Sequence, residues 1–280
     1  MPATSDNQYR IEGELMRLLI ENDTKQMRVR EATIERRVKL IETAAAAKPD
    51  EKPLLIQGDT LHLTQTAPKA SFVTVTGTPA YVEARGMTMT GGKLTLDRPN
   101  EQTNIVGVPG QGIMTLPVDR DLQGRPTGAT ELLTLVWQGQ LQFDGLTARF
   151  ERGVEAKLTN QYLRTDRLNV TFTQQVAFGK SDNTQPDVQR IDCFDGVFLE
   201  SRTLKEGALT SVERMTARTL AVDRPSGDFS AEGPGEVTSV RLGSAAKPGE
   251  PGGQQAAGPA GVPAIPIGFG NADLPPADGA

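Results

Sequence analysis

The feature that most constrains this chain is an alternation with a period of two. The stretches DTLHLTQ (59–65), KLTLD (93–97), GQLQFD (139–144), RLNVTFT (167–173) and TLAVD (219–223) each put an apolar side chain at every second position. Successive side chains of a strand point to opposite faces, so each stretch reads as a strand with one buried and one wet face. No long stretch keeps the 3.6-residue period of an amphipathic helix. The Arg, Glu and Ala content of 21–47 suits a helix, yet Ile34, Val38 and Leu40 share parity, so 32–41 is read as strand.

Turn signals punctuate these runs: Lys-Pro-Asp-Glu-Lys-Pro at 48–53, Gly91-Gly92, a long loop over 117–130, and 179–186. Asp144-Gly145 and Asp195-Gly196 each stand between strand-like runs and predict two type I′ hairpins. In the first, Leu141 and Phe143 would face Leu146, Ala148 and Phe150, giving one apolar side. Hairpins mean antiparallel pairing, which argues against a parallel β-helix.

One element occurs twice. LTLDRPNEQTNIVGVPG (94–110) and LAVDRPSGDFSAEGPG (220–235) share the Leu, the Asp-Arg-Pro, and the closing Gly, Pro and Gly once a one-residue gap is allowed. Physically this is a strand, a proline that ends ladder pairing, a polar connection, and a glycine-proline-glycine bend. Looser copies lie at 54–84 and 157–179, so about four or more units follow one another.

Composition limits the chemistry. The chain has 280 residues, a net charge of −5 and no dense Lys/Arg stripe interleaved with aromatics, which argues against nucleic acid as a partner. One cysteine, Cys193, makes no internal disulfide, and one histidine, His62, makes no His-rich metal site. His62 alternates with Leu61 and Leu63 and is expected to point outward; Cys193 has no histidine partner and is expected to be small, buried and apolar. Asp182, Asp187, Asp192 and Asp195 lack the fixed spacing of a calcium loop and are expected to solvate a turn. GVPGQG is not a phosphate loop, since no Lys-Ser/Thr follows. Taken literally, a start without a basic and apolar leader, and a chain without a run of about 18 apolar residues, predict a soluble, unexported protein. Residues 1–8 are expected to be a flexible N-terminus and 9–243 one β-repeat domain. From Ser244 to Ala280, 24 of 37 residues are Gly, Pro or Ala, so 244–280 is expected to be a disordered tail.

The cadence Gly58-Asp59-Thr60-Leu61-His62-Leu63 with Gly77-Thr78-Pro79-Ala80, echoed in part by Thr165-Asp166-Arg167-Leu168 and the two Asp-Arg-Pro copies, resembles the OstA-like repeats of the LptA/LptC lipopolysaccharide-transport family. The resemblance covers about residues 30–243. It is nearer still to large OstA-like proteins of planctomycete-type bacteria, of which this chain would be a C-terminal part. It implies an all-β fold: a twisted antiparallel β-jellyroll whose two sheets enclose an apolar slot. It implies no enzyme and no cofactor, a place in the periplasm or cell envelope, and lipopolysaccharide or a similar glycolipid as ligand. Other OstA-like proteins would join by strand-edge pairing.

On that reading the slot lining is Leu61, Leu63, Val73, Val75, Leu94, Leu96, Leu141, Phe143, Leu168, Val170, Phe172, Leu220 and Val222. Such side chains would shield acyl chains at roughly 0.8 kcal/mol per CH₂. The other reading of the same residues is a closed core that packs on itself, which makes the chain a structural β-repeat scaffold of the envelope without lipid. A carbohydrate-active β-solenoid ranks below both, because no paired carboxylates can be placed around a cleft.

Overall fold

Every regular element is a β-strand in the computed structural model, which describes residues 8–23, 26–43, 54–67, 70–84, 87–98, 105–175 and 187–242. In chain order these are β1 (Gln8–Glu12), β2 (Leu15–Asp23), β3 (Gln26–Thr43), β4 (Leu55–Ala67), β5 (Ala70–Ala84), β6 (Met87–Arg98), β7 (Ile105–Pro109), β8 (Gly112–Arg120) and β9 (Pro126–Trp137). Then follow β10 (Gln140–Phe143), β11 (Thr147–Lys157), β12 (Gln161–Phe172), β13 (Val188–Phe194), β14 (Val197–Lys205), β15 (Ala208–Ala217), β16 (Thr219–Asp223), β17 (Phe229–Glu232) and β18 (Glu236–Arg241). Neighbouring strands pair antiparallel throughout, which rules out the parallel β-helix.

The long strands break register in mid-course, and the break is where the fold turns. In β3 it falls between Glu35 and Val38, in β4 between Gln57 and Thr60, in β5 between Thr76 and Ala80, and in β11 between Glu151 and Val154. Partners change across it: the first part of β3 pairs with β2 and the second with β1. Likewise β6 pairs with β8 and then β7, and β12 with β14 and then β13. The result is a jellyroll of two layers joined along a line of corners.

The first layer runs β2, β3, β4, β5, β6, β7, β10, β11, β12, β13, β16, β17; the second runs β1, β3, β4, β5, β6, β8, β9, β11, β12, β14, β15, β18. Corners are left-handed backbone: Arg36 and Arg37 have φ of 64° and 53°, Arg152 and Gly153 63° and 58°, Asp195 and Gly196 64° and 92°. The two extra residues at Arg152-Gly153 let Phe150 and Val154 both face inward, each 1% exposed.

The repeated element now has a shape. After TLAVD, β16 ends at Asp223, whose Oδ1 accepts from Ser226 N (3.0 Å) and Ser226 Oγ (2.8 Å). The chain returns as β17 and turns the corner at Gly233 (φ 96°), where a Cβ would stand 2.5 Å from Arg218 Cβ. In the other copy β6 ends at Arg98, β7 returns, and Gly110 (φ 84°) makes the corner into β8. Each copy is a hairpin end followed by a corner.

Several turn expectations are corrected. Asp195-Gly196 is not a hairpin: β13 and β14 do not pair with each other but with the two halves of β12, and the dipeptide is the corner between them. Both positions need φ > 0, which is why the sequence looks like a type I′ turn. Asp144-Gly145 is a hairpin, with Leu141 opposite Phe150 and Phe143 opposite Ala148. Only Gly145 has φ > 0 there, and Leu146 stays 44% exposed in the turn rather than joining the apolar side. Gly91-Gly92 is no turn but lies within β6 at its corner; a Cβ on Gly91 would meet Val108 Cγ1 at 2.5 Å. The loop expected over 117–130 shrinks to residues 121–125, because Pro126 begins β9, where a missing N–H costs no ladder bond. Strand 32–41 lies inside β3. The signals at 48–53 and 179–186, and the tail 244–280, lie outside the described residues; strands span Gln8 to Arg241.

The inner faces of the two layers share one core. Ile34, Leu61, Val108, Phe150 and Cys193 of the first layer and Val38, Ile56, Trp137 and Val154 of the second are at most 2% exposed. Each large side chain so buried contributes about 1.5–3 kcal/mol.

Candidate functional site

All thirteen slot candidates lie on one surface, the inner face of the first layer. Register places them in rows. The row nearer the corners includes Leu61, Val75, Leu94, Leu141, Leu168 and Leu220, which are 0 to 2% exposed. The next row outward takes one apolar residue from every strand of the layer but β7: Leu18, Ala32, Leu63, Val73, Leu96, Phe143, Ala148, Val170, Ile191, Val222 and Phe229. Eleven inter-strand steps of roughly 4.8 Å make that row about 50 Å long. Burial loosens toward the mouth: Leu63, Val170 and Phe172 are only half-buried, and Phe172 stacks edge to face on Phe143 at 5.8 Å.

The slot is filled in its middle and uncovered at its ends. Trp137 on the second layer meets Phe150 on the first, and both are at most 1% exposed. At the β2 end the inward side chains Met16, Leu18 and Ile20 are 46%, 48% and 45% exposed. At the other end a cavity of about 180 Å³ lies between β15, β17 and β18, lined by Met215, Ala217, Phe229, Ala231 and Val237.

The alternation did not point to these ends. β2 reads LMRLLIEND, apolar on both faces, and has no period of two to find. Phe229 and Ala231 do alternate with Ser230 and Glu232, the one signal for the cavity in the sequence. The facing wall of Val38, Ile56, Met89 and Trp137 was missed because register breaks interrupt its strands.

The polar residues of interest are tied up in pairs. His62 lies between Thr33 and Thr74 on the face opposite Leu61. Cys193 stands between Leu168 and Leu220, and burial pushes its thiol up to about 12, so it stays protonated while it is enclosed. Asp192 accepts from Arg190 Nε through both oxygens at 2.9 Å, Asp195 from Arg167, and Asp187 faces Arg224 at 3.6 Å. These carboxylates serve local ion pairs and do not converge; Asp182 lies outside the described residues. On the outer face Glu200 accepts from Arg202 Nε and Arg214 Nε, each at 2.8 Å, and these two guanidinium groups hold its carboxyl below the ordinary range.

No family model, curated protein or solved structure matches this chain.

Proposed function

We propose that this protein is a non-enzymatic module of the periplasm or cell envelope that binds or passes on the acyl chains of an amphipathic, lipopolysaccharide-like lipid. The observation that carries this reading is the apolar row running along the layer from β2 to β17, whose end residues Leu18 and Phe229 are exposed and half-buried. An acyl chain laid against Met16, Leu18 and Ile20, or entering between Met215, Phe229 and Val237, removes its own surface and theirs from water. Its charged headgroup stays outside the mouth. Partners are further OstA-like modules: β1 and β2 at one end and β17 and β18 at the other each have one edge with no strand on it among the described residues.

The second reading, a structural β-repeat scaffold, is favoured by the filled middle, where Trp137 and Phe150 leave no room for a ligand. Mass spectrometry of protein purified from its own envelope separates the two. The lipid reading expects a bound glycolipid, and photocrosslinkers at Leu18 and Phe229 that capture it while one on outward-facing Thr74 does not. Lipid-free protein in repeated preparations, with silent crosslinkers, would leave the scaffold.

A further inference from the structure

The turn between β8 and β9 departs from its own layer. Both strands belong to the second layer, yet Leu122 at their tip is 8% exposed within the shared core. Beside it a Cβ on Gly124 would stand 3.2 Å from Val222 Cγ1 and 3.7 Å from Arg224 Cγ, both on the first layer. This tip therefore crosses the mouth of the slot.

The tip is a preformed unit. Asp121 Oδ1 accepts from Gln123 N (2.9 Å) and Arg125 N (2.8 Å), Oδ2 accepts from Arg125 Nε (2.8 Å), and Arg120 Nη1 donates to Gly124 O (3.0 Å). Its tether to the second layer is good: Leu122 N donates to Gln161 Oε1 at 2.6 Å and Gln161 Nε2 to Asp121 Oδ2 at 3.1 Å. Its seat on the first layer is poor. The Arg224 side chain is 8% exposed, its ion pair with Asp187 is long at 3.6 Å, and Arg224 Nε and Gln123 Oε1 are buried with no hydrogen-bond partner among the described residues. Burial disfavours the Arg224 charge, with Arg120 adding repulsion against the pull of Asp187, Asp119 and Asp121. A buried polar atom without a partner has given up its water for nothing in return, so this seat holds less firmly than the tether on the other side.

We propose that residues 121–125 are a latch across the slot, which swings as one piece with the second layer, releases Val222 and Arg224, and bares the inner face of β13 and β16 while the ladders stay paired. As a route for lipid the latch rests on the function proposed above; the opening itself does not.

Cys193, the single cysteine, lies on that inner face one strand from Leu220 and reports the opening directly. The test is alkylation of native full-length protein by a maleimide, with circular dichroism following the ladders. A latch gives a slow rate that is flat at low urea, because the opening is local. Leu122→Ala raises the rate about tenfold or more, and Arg224→Leu, which seats the tip on apolar surface, lowers it severalfold. A rate that climbs from the first urea with the slope of complete unfolding, or that follows global stability in every variant, would overturn the latch. Uptake of a pyrene-labelled fatty acid, run alongside, separates the two claims. Latch variants that shift Cys193 reactivity while no form takes up the probe would overturn lipid binding and leave the latch standing. Uptake equal in all variants despite altered Cys193 reactivity would overturn the latch as a gate.

Discussion

Trp137 of β9 meets Phe150 of β11 edge to face, with ring centroids 5.4 Å apart and planes inclined by 64°. The two rings come from different layers beside the corner at Arg152-Gly153, so the contact ties the layers together where the chain bends. Gly112 lies against the indole, and a Cβ there would stand 2.1 Å from Trp137 Cζ2. Trp137→Ala or Phe150→Ala is expected to lower unfolding stability by about 3–5 kcal/mol. Trp137→Phe costs less, since the indole N–H has no hydrogen-bond partner among the described residues to lose. Gly112→Ala is expected to cost about 1–3 kcal/mol by overpacking. Urea unfolding measures all four, and an unchanged midpoint for Gly112→Ala would mean that the indole has room to shift.

Glu200 makes stability depend on acid. Its folded pKa lies below the unfolded one because Arg214 and Arg202 donate to its carboxylate. The stabilisation is therefore present above the unfolded pKa, near pH 4–5, and is lost as pH falls through the folded value. Glu200→Gln is expected to cost about 1–2 kcal/mol at pH 7, and the gap to wild type should narrow as the pH is lowered through the folded pKa. Urea midpoints from neutral pH down into acid check this, and a gap of constant size over that whole range would assign the effect to packing.

The corners carry backbone strain of opposite sign at two positions. Gly196 (φ 92°) has no atom within 4 Å of an added Cβ, so Gly196→Ala tests backbone cost alone and is expected to lose about 1–2 kcal/mol. Arg36 holds φ 64° with a side chain whose contact to Glu14 is 3.6 Å and exposed. Arg36→Gly is expected to gain about 0.5–1 kcal/mol. Thermal unfolding of the pair should move the midpoint in opposite directions.

β2 is apolar on both faces: Leu15 and Leu19 outward and Met16, Leu18 and Ile20 inward are all more than 40% exposed. Beside an edge with no strand on it among the described residues, such a strand invites association. Leu18→Lys is expected to abolish concentration-dependent growth in light scattering while changing unfolding stability by less than about 0.5 kcal/mol. Equal scattering from both forms would clear β2 of the role.

The strands themselves were legible, since alternation is a one-residue signal that survives without context. Leu61, Leu141, Leu168 and Leu220 could be placed on one inner face by parity alone. What parity cannot convey is where a strand bends. Asp195-Gly196 looks like a hairpin because the same left-handed pair serves either to reverse a strand or to carry it around a corner, and the choice is made by β12, some thirty residues upstream. Arg36-Arg37 carries no corner signal at all, because its left-handed backbone follows from the inward packing of Ile34 and Val38 on either side and not from its own residue type. The latch was hidden for a similar reason: residues 121–125 fall inside what reads as one long loop over 117–130, and only the close approach of Gly124 to Val222, about a hundred residues away, gives them a role.

Most ladders join strands that are near neighbours in sequence, and every layer-crossing strand leans only on the strands beside it. Stability in such an array is a sum over adjacent pairs, as in solenoids, so the architecture sets no length of its own. It can grow or shrink by whole hairpins, and must do so in steps of two to keep the direction of its last strand. A row of alternating leucines and valines thus becomes a ruler, whose reach is decided by how many hairpins the gene encodes rather than by the geometry of any one of them.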